Sequence, residues 1–334
     1  MKILSNFSIN GAIAVAVMAL GLSATPATAQ SKGSMHVAFG DVPGGEMVNF
    51  MIAVARAKER GVDVKVSFLQ SEDTAAQAIV SGQADIGVGT PYALIQKVKA
   101  PIRLFYQLSQ LRFYPIVNTE FYKTWKDLDG ADIAVHGRGS GTEAIMQLMA
   151  KENGITYNSV SYVPGSGVRA GALLQGRIKA SIVDYERKTL LDKEAPGKFA
   201  VLPLPEIKAT DEALYANVNW LKEEKEAVAI LLEELVKTWR EINKDPSAVV
   251  TLREKYNVLP DIEQEEVDAL LPAFTQGVEI DLYPDNGGSA DSVKEDFTFY
   301  TTAGSLEGDP NELKVEDYWY LEPLNAAVEK LGRM

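Results

Sequence analysis

Arg138, Ser140 and Thr142 share one glycine-rich turn, 137–142 (GRGSGT), between a short apolar segment and an amphipathic one. A turn of this kind ahead of a helix leaves backbone N–H groups pointing out of the helix start, where the dipole adds partial positive charge. Gly139 and its neighbours let the main chain approach an anion closely. The two hydroxyls add donors and Arg138 a full charge, so the set fits a carboxylate, sulfonate or phosphate. The same residues also fit a plain cap, with Ser140 or Thr142 closing the helix start and Arg138 in solvent. Both readings stay open at this level.

Other polar candidates follow strand-like segments, where open parallel sheets hold their ligands. In the first half these are Asp41, Ser71, Thr90 and Tyr106; in the second, Ser166, Asp184 and Tyr185 join the turn above. Asp41, Asp184 and Glu186 are acceptors for an ammonium or a ring N–H, or simply solvated strand ends. Tyr106, Tyr114 and Tyr185 suit stacking on a ligand or packing in a core.

Enzyme chemistry finds little support. The chain has no cysteine and only two histidines, His36 and His136, without zinc-ligand spacing. Ser140 does not sit in a G-x-S-x-G elbow, because Arg138 stands two residues before it. Residues 165–170 (GSGVRA), with Asp184 after the next segment, mimic a dinucleotide fingerprint. The matching turn in the first half, 70–73 (QSED), has no glycine, so the unit does not exist for a pyrophosphate. No cofactor and no metal are expected.

The elements behind these turns are written twice. Residues 66–90 and 160–184 align without a gap, each as strand, polar turn, helix ending at glycine, and strand. Two α/β halves with parallel strands follow. The segments 111–119 and 213–219 are read as the crossings between them, with hinges near Asn118 and Asn219. From 222 onward the pattern turns helical; Val228, Leu231, Leu232, Leu235 and Trp239 form one face of a helix over 223–243. Ahead of all this, Lys2, an apolar run at 11–22 and Ala27-Thr28-Ala29 read as a cleaved export signal, with a mature chain from Gln30. Cleavage takes the net charge from −13 to −14, which argues against nucleic acid as a partner.

Four stretches in order, 78–87 (AIVSGQADIG), 127–130 (DLDG), 139–142 (GSGT) and 315–318 (VEDY) before Leu331-Gly332, make the chain resemble the extracytoplasmic solute-binding proteins of ABC importers. The type is the nitrate/sulfonate/taurine one, which also includes binders of pyrimidines and aromatic acids. One departure is Lys179, where the first-half counterpart is Asp85. The resemblance implies an α/β, two-lobed periplasmic-binding-protein fold (type II-like) with two hinge strands and a helical C-terminal tail. The expected layout is a signal at 1–29, lobe one at 30–110 and 218–334, and lobe two at 111–217. The implied function is capture of a small organic anion, a carboxylate or sulfonate, by a monomer in the periplasm, and delivery to an ABC permease. The alternatives are a neutral pyrimidine-like heterocycle as ligand, or an exported enzyme on the same fold.

Overall fold

The computed structural model describes residues 32–69 and 71–334. The expected leader and its cleavage site lie outside the described residues.

The first half builds β1 (Ser34–Phe39), α1 (Val48–Glu59), β2 (Asp63–Phe68), α2 (Glu72–Val80), β3 (Ile86–Gly89), α3 (Tyr92–Val98) and β4 (Ile102–Gln107). The second builds β5 (Tyr114–Asn118), β6 (Asp132–Val135), α4 (Gly141–Asn153), β7 (Ser159–Tyr162), α5 (Ser166–Leu174), β8 (Ala180–Val183), α6 (Tyr185–Glu194) and β9 (Phe199–Val201). Strand β10 (Ala213–Asn217) follows, then α7 (Val218–Glu223), α8 (Lys225–Lys244), α9 (Ala248–Tyr256), α10 (Gln264–Glu279), α11 (Ala290–Ala303), α12 (Val315–Tyr318) and α13 (Glu322–Leu331).

The repeat is real: its copies are β2-α2-β3 and β7-α5-β8. The sheets share one plan, β2-β1-β3-β10-β4 and β7-β6-β8-β5-β9. They are mixed rather than parallel throughout. β10 runs antiparallel to β3 and β4, and β5 antiparallel to β8 and β9. Each antiparallel strand enters just after the chain has left the other sheet. The buried Tyr215 ring of β10 lies across its register partner Gly87 in β3, where a Cβ would come 2.1 Å from it, so a side chain there would force the ring to move.

This pairing moves the crossings. Residues 213–217, assigned from sequence to the second segment, pair in the first sheet. The links between sheets are 108–113 and 202–212, not 111–119 and 213–219. Asn118 ends β5 and Asn219 lies in α7, away from both links. The two links run side by side: Leu111 N–H donates to Ala209 O at 2.8 Å, Asp211 N–H to Ser109 O at 3.0 Å and Leu108 N–H to Glu212 O at 2.8 Å. Gln110 and Thr210 form an antiparallel bridge.

The expected amphipathic helix is α8. It buries Val228, Leu231, Leu232, Leu235 and Trp239 against the first sheet's core, each large aliphatic worth roughly 1.5–3 kcal/mol. Arg60 pins α1 to α8 through Glu233 and Glu234, and Lys330 of α13 joins Glu233 at 2.6 Å. The tail also reaches the second half: Lys151 of α4 donates to Thr302 O of α11 at 3.1 Å.

Candidate functional site

The strand ends of both sheets and both links converge on one cavity of about 200 Å³. Its polar wall comes from the turn after β1 (Asp41, Glu46), the start of α2 (Glu72), the turn after β6 (His136, Ser140, Thr142), the starts of α5 and α6 (Ser166, Asp184, Glu186) and the second link (Asp211, Glu212). Its apolar wall includes Phe39, Phe50, Trp239, Phe274 and Tyr283. A cavity at strand ends with a few converging polar groups on an aromatic lining is the usual form of a small-molecule site.

Carboxyl groups dominate it. Burial pushes Glu72 up to about 8, with Asp211 and Asp41 adding repulsion. Asp211 is pushed up to about 7 by burial, against the pull of Arg169. Glu212 is raised by burial and then by Asp211, Asp41 and Glu72. Glu46 moves the same way, by desolvation and then by Asp41 and Asp184, but its surface is exposed, so solvent screens much of that effect. His136 stands between two of these acids, its Nδ1 3.6 Å from Asp41 and its Nε2 3.6 Å from Glu72. Desolvation lowers its pKa, so the ring is mainly neutral at pH 7 and offsets little of the negative charge.

Two guanidinium groups reach the cavity, and both are committed to the chain. Arg169, 1% exposed, donates to Ile182 O at 3.0 Å, Val163 O at 2.8 Å and Ser166 Oγ at 3.0 Å. Burial lowers its pKa to about 10, which still leaves it charged at neutral pH. Arg112 donates to the carbonyls of Ile280, Leu111 and Ile207 and to Gln110 Oε1. These bonds hold the links and α5 in place.

The turn 137–142 is organised as a cap. Ser140 Oγ accepts from Glu143 N–H at 3.3 Å and donates to Gly137 O at 2.7 Å; Thr142 Oγ1 accepts from His136 N–H at 3.0 Å. Gly139 N–H donates to Glu143 Oε2 at 2.6 Å, so the chain's own carboxylate takes the place an anion would have. A Cβ on Gly141 would come 2.2 Å from Leu111 Cδ2, so this glycine serves packing against a link. Arg138 is exposed, stacks 5.0 Å over the Tyr162 ring, and with Gly139 and Thr90 borders a neighbouring cavity of about 580 Å³ instead.

Of the residues singled out from sequence, Asp41, Ser140, Thr142, Ser166, Asp184, Tyr185 and Glu186 meet at the cavity. Thr90 is buried and accepts from Tyr300 OH at 3.3 Å. Ser71 only caps α2, accepting from Thr74 N–H at 3.2 Å. Tyr106 is fully buried beside Trp239, with ring centroids 5.8 Å apart, because α8 covers this side of β4, the edge strand of the first sheet. Sequence reading missed Glu46, Glu72, Asp211, Glu212, His136 and both arginines. The only local signal was that Glu46 follows Gly44-Gly45 and that Asp211-Glu212 precede a strand.

Residues 54–249, more than half of the chain, match the model of the NMT1/THI5 like family, and the chain belongs to that family. Similar solved structures show the same fold, the two-lobed one of periplasmic binding proteins. A protein from Bordetella bronchiseptica RB50 is 18% identical with a TM-score of 0.71, over 89% of this chain and 98% of its own. The periplasmic nitrate-binding protein NrtA from Synechocystis PCC 6803 is 14% identical with a TM-score of 0.66, over 90% of this chain and 89% of its own. The alkanesulfonate-binding protein SsuA from Xanthomonas axonopodis pv. citri, bound to MOPS, is 14% identical with a TM-score of 0.60, over 82% of this chain and 94% of its own. No curated protein sequence matches the chain. Among the described residues, no helix is long and apolar enough to cross a membrane.

Proposed function

We propose that this protein is an extracytoplasmic solute-binding protein that takes a small organic solute into the cavity between its sheets and passes it to an ABC-type permease. The observation that carries this is the cavity's position, walled by strand ends of both sheets and spanned by the paired links 108–113 and 202–212. Two links side by side, running antiparallel, are the geometry in which one bending motion opens and closes a cleft. Family membership and the binding proteins among the structural relatives support the reading. The export signal read from residues 1–29 fits the same compartment.

A small organic anion remains one candidate solute, supported by what the relatives are described as binding. In this cavity it would depend on the N–H groups that Arg112 and Arg169 have left over. Arg138 lies outside the cavity, so Arg138→Ala should change affinity by less than about twofold, under 0.5 kcal/mol. Titration calorimetry with the recovered solute checks this; a tenfold loss would return the turn 137–142 to the site.

The exported-enzyme reading draws on the raised carboxyls, since perturbed acids are also what general acid–base catalysis uses. One experiment separates the two. Protein purified from the export fraction without refolding is analysed by native mass spectrometry, and the recovered solute is added back. A binder gives a raised melting temperature, a smaller radius of gyration and an unchanged solute. Chemical conversion of the solute would overturn the binding reading.

A further inference from the structure

We propose that the solute is an organic cation, a protonated amine or amidine carried on a small apolar or aromatic body. The inference rests on the solute-binding reading and names the class of its ligand.

Three observations converge on it. The cavity wall carries seven carboxyl side chains against two guanidinium groups, and both guanidinium groups are already held by backbone carbonyls. Asp41 is a common electrostatic neighbour of Glu46, Glu72, Asp211 and Glu212, so these acids form one field rather than scattered surface charges. Their mutual approach opposes ionisation in the empty site, and a bound cation would favour the carboxylate forms and be held by them through charge-assisted hydrogen bonds in a partly desolvated space.

The second observation is an unmatched donor at the wall. Asn49 is only 4% exposed and lines the cavity; its Oδ1 accepts from the Phe50 N–H at 2.8 Å, which fixes the amide orientation and leaves Nδ2 without a protein partner. Nδ2 thus faces the cavity as a donor with no partner among the described residues and marks a place for an acceptor atom on the body of the solute, beside its cationic group.

The third concerns size and lining. About 200 Å³ is many times what one water needs, which is room for an organic body and far more than a bare ion fills. Among the described residues no group of His, Asp and Glu is arranged to hold a metal ion. Phe39, Phe50, Trp239 and Phe274 offer ring surface to an apolar body and ring faces to a cation.

The test uses three probes of matched shape: 2-phenylethylamine, 3-phenylpropanoate and 3-phenylpropanol, each titrated calorimetrically into the mature protein at neutral pH, with calcium as a control ion. The amine is expected to bind at least tenfold more tightly than the alcohol, with no heat from the carboxylate or from calcium. Glu46→Gln and Glu212→Gln keep shape and remove the carboxyl that would ionise beside the amine; each should weaken the amine about tenfold and leave the alcohol unchanged. Circular dichroism confirms that the variants fold. A carboxylate that binds best, equal binding of all three probes, displacement of the amine by calcium, or wild-type amine affinity in both variants would each overturn the proposal. A carboxylate probe that binds and shrinks the radius of gyration would remove the cation class and leave the solute-binding function standing. If neither a probe nor the recovered solute changes the radius of gyration or the melting temperature, the function itself falls.

Discussion

Ligand-free protein should melt at a lower temperature at pH 8 than at pH 5, by on the order of 5 °C, where about 1 kcal/mol moves a chain of this kind by ~2–4 °C. The cause is the set of carboxyls whose folded pKa values lie above their ordinary ones. Glu72 is pushed up to about 8, Asp211 to about 7 and Asp296 to about 7, each chiefly by burial. Between about pH 4.5 and 8 the folded state therefore holds protons that the unfolded state releases. Stability falls as pH rises wherever the folded state binds more protons. Glu72 keeps a quarter of its side chain exposed, so its share is reduced by solvent screening.

Other groups facing the cavity act on the same balance. Glu212 strengthens the trend because it too is raised, while exposed Glu46 adds little because solvent screens it. His136, facing Asp41 and Glu72, opposes it: its pKa is lowered, so its contribution is lost as pH falls below about 6.5. One histidine against several carboxyls leaves the acids in control. Melting curves at constant ionic strength decide the matter. A melting temperature that rises from pH 5 to pH 8 would show that these carboxyls are not held protonated. A bound amine should reverse the slope, because it favours the ionised acids.

Replacing Asp296 by alanine should cost about 3–5 kcal/mol, while Asp296→Asn should cost about 1–2. Asp296 is 1% exposed on α11. It accepts from Tyr92 OH at 2.5 Å, Thr210 N–H at 2.6 Å and Thr210 Oγ1–H at 2.8 Å. Trp319 Nε1–H donates to Tyr92 OH at 2.8 Å, and Tyr300 OH donates to Thr210 O at 2.7 Å. One carboxyl thus ties α3, α11 and the residue after α12 to the link 202–212. Alanine strands three buried donors at once, and each unsatisfied donor carries its own desolvation cost. Asparagine keeps an acceptor for part of the set. Urea unfolding at pH 6 measures both variants. Equal, small losses would mean that water replaces the carboxyl and that the link is not anchored here. Because Thr210 bridges Gln110 across the two links, Asp296→Ala should also broaden the distribution of cleft openings seen by scattering.

Much of this molecule was legible before any coordinates. The gapless repeat in 66–90 and 160–184 encodes β2-α2-β3 and β7-α5-β8, because alternating apolar runs and glycine stops act over a few residues. The spacing Val228, Leu231, Leu232, Leu235, Trp239 is a helical period, and it buries one face of α8 as that period requires. Asp41, Ser166 and Asp184 came out at the cavity because strand ends in this topology face the cleft.

What the tertiary structure alone decided is where separate pieces meet. β5 and β10 read as extended segments in sequence, but which sheet each joins depends on pairing across about a hundred residues, and that moved both crossings by several positions. The turn 137–142 carries the composition of an anion seat and of a cap alike. Only the fold brings Glu143 back onto Gly139 and places Leu111 against Gly141. Tyr106 and Tyr185 are each an aromatic at a strand end; α8 covers the first and the cavity receives the second. The gathering of the acids had almost no local signature, since Glu46, Glu72 and Asp211 lie far apart in sequence, in a short turn of helix, at the start of α2 and in a link. Their raised pKa values come from mutual approach and loss of water, and both exist only once the sheets and links are assembled.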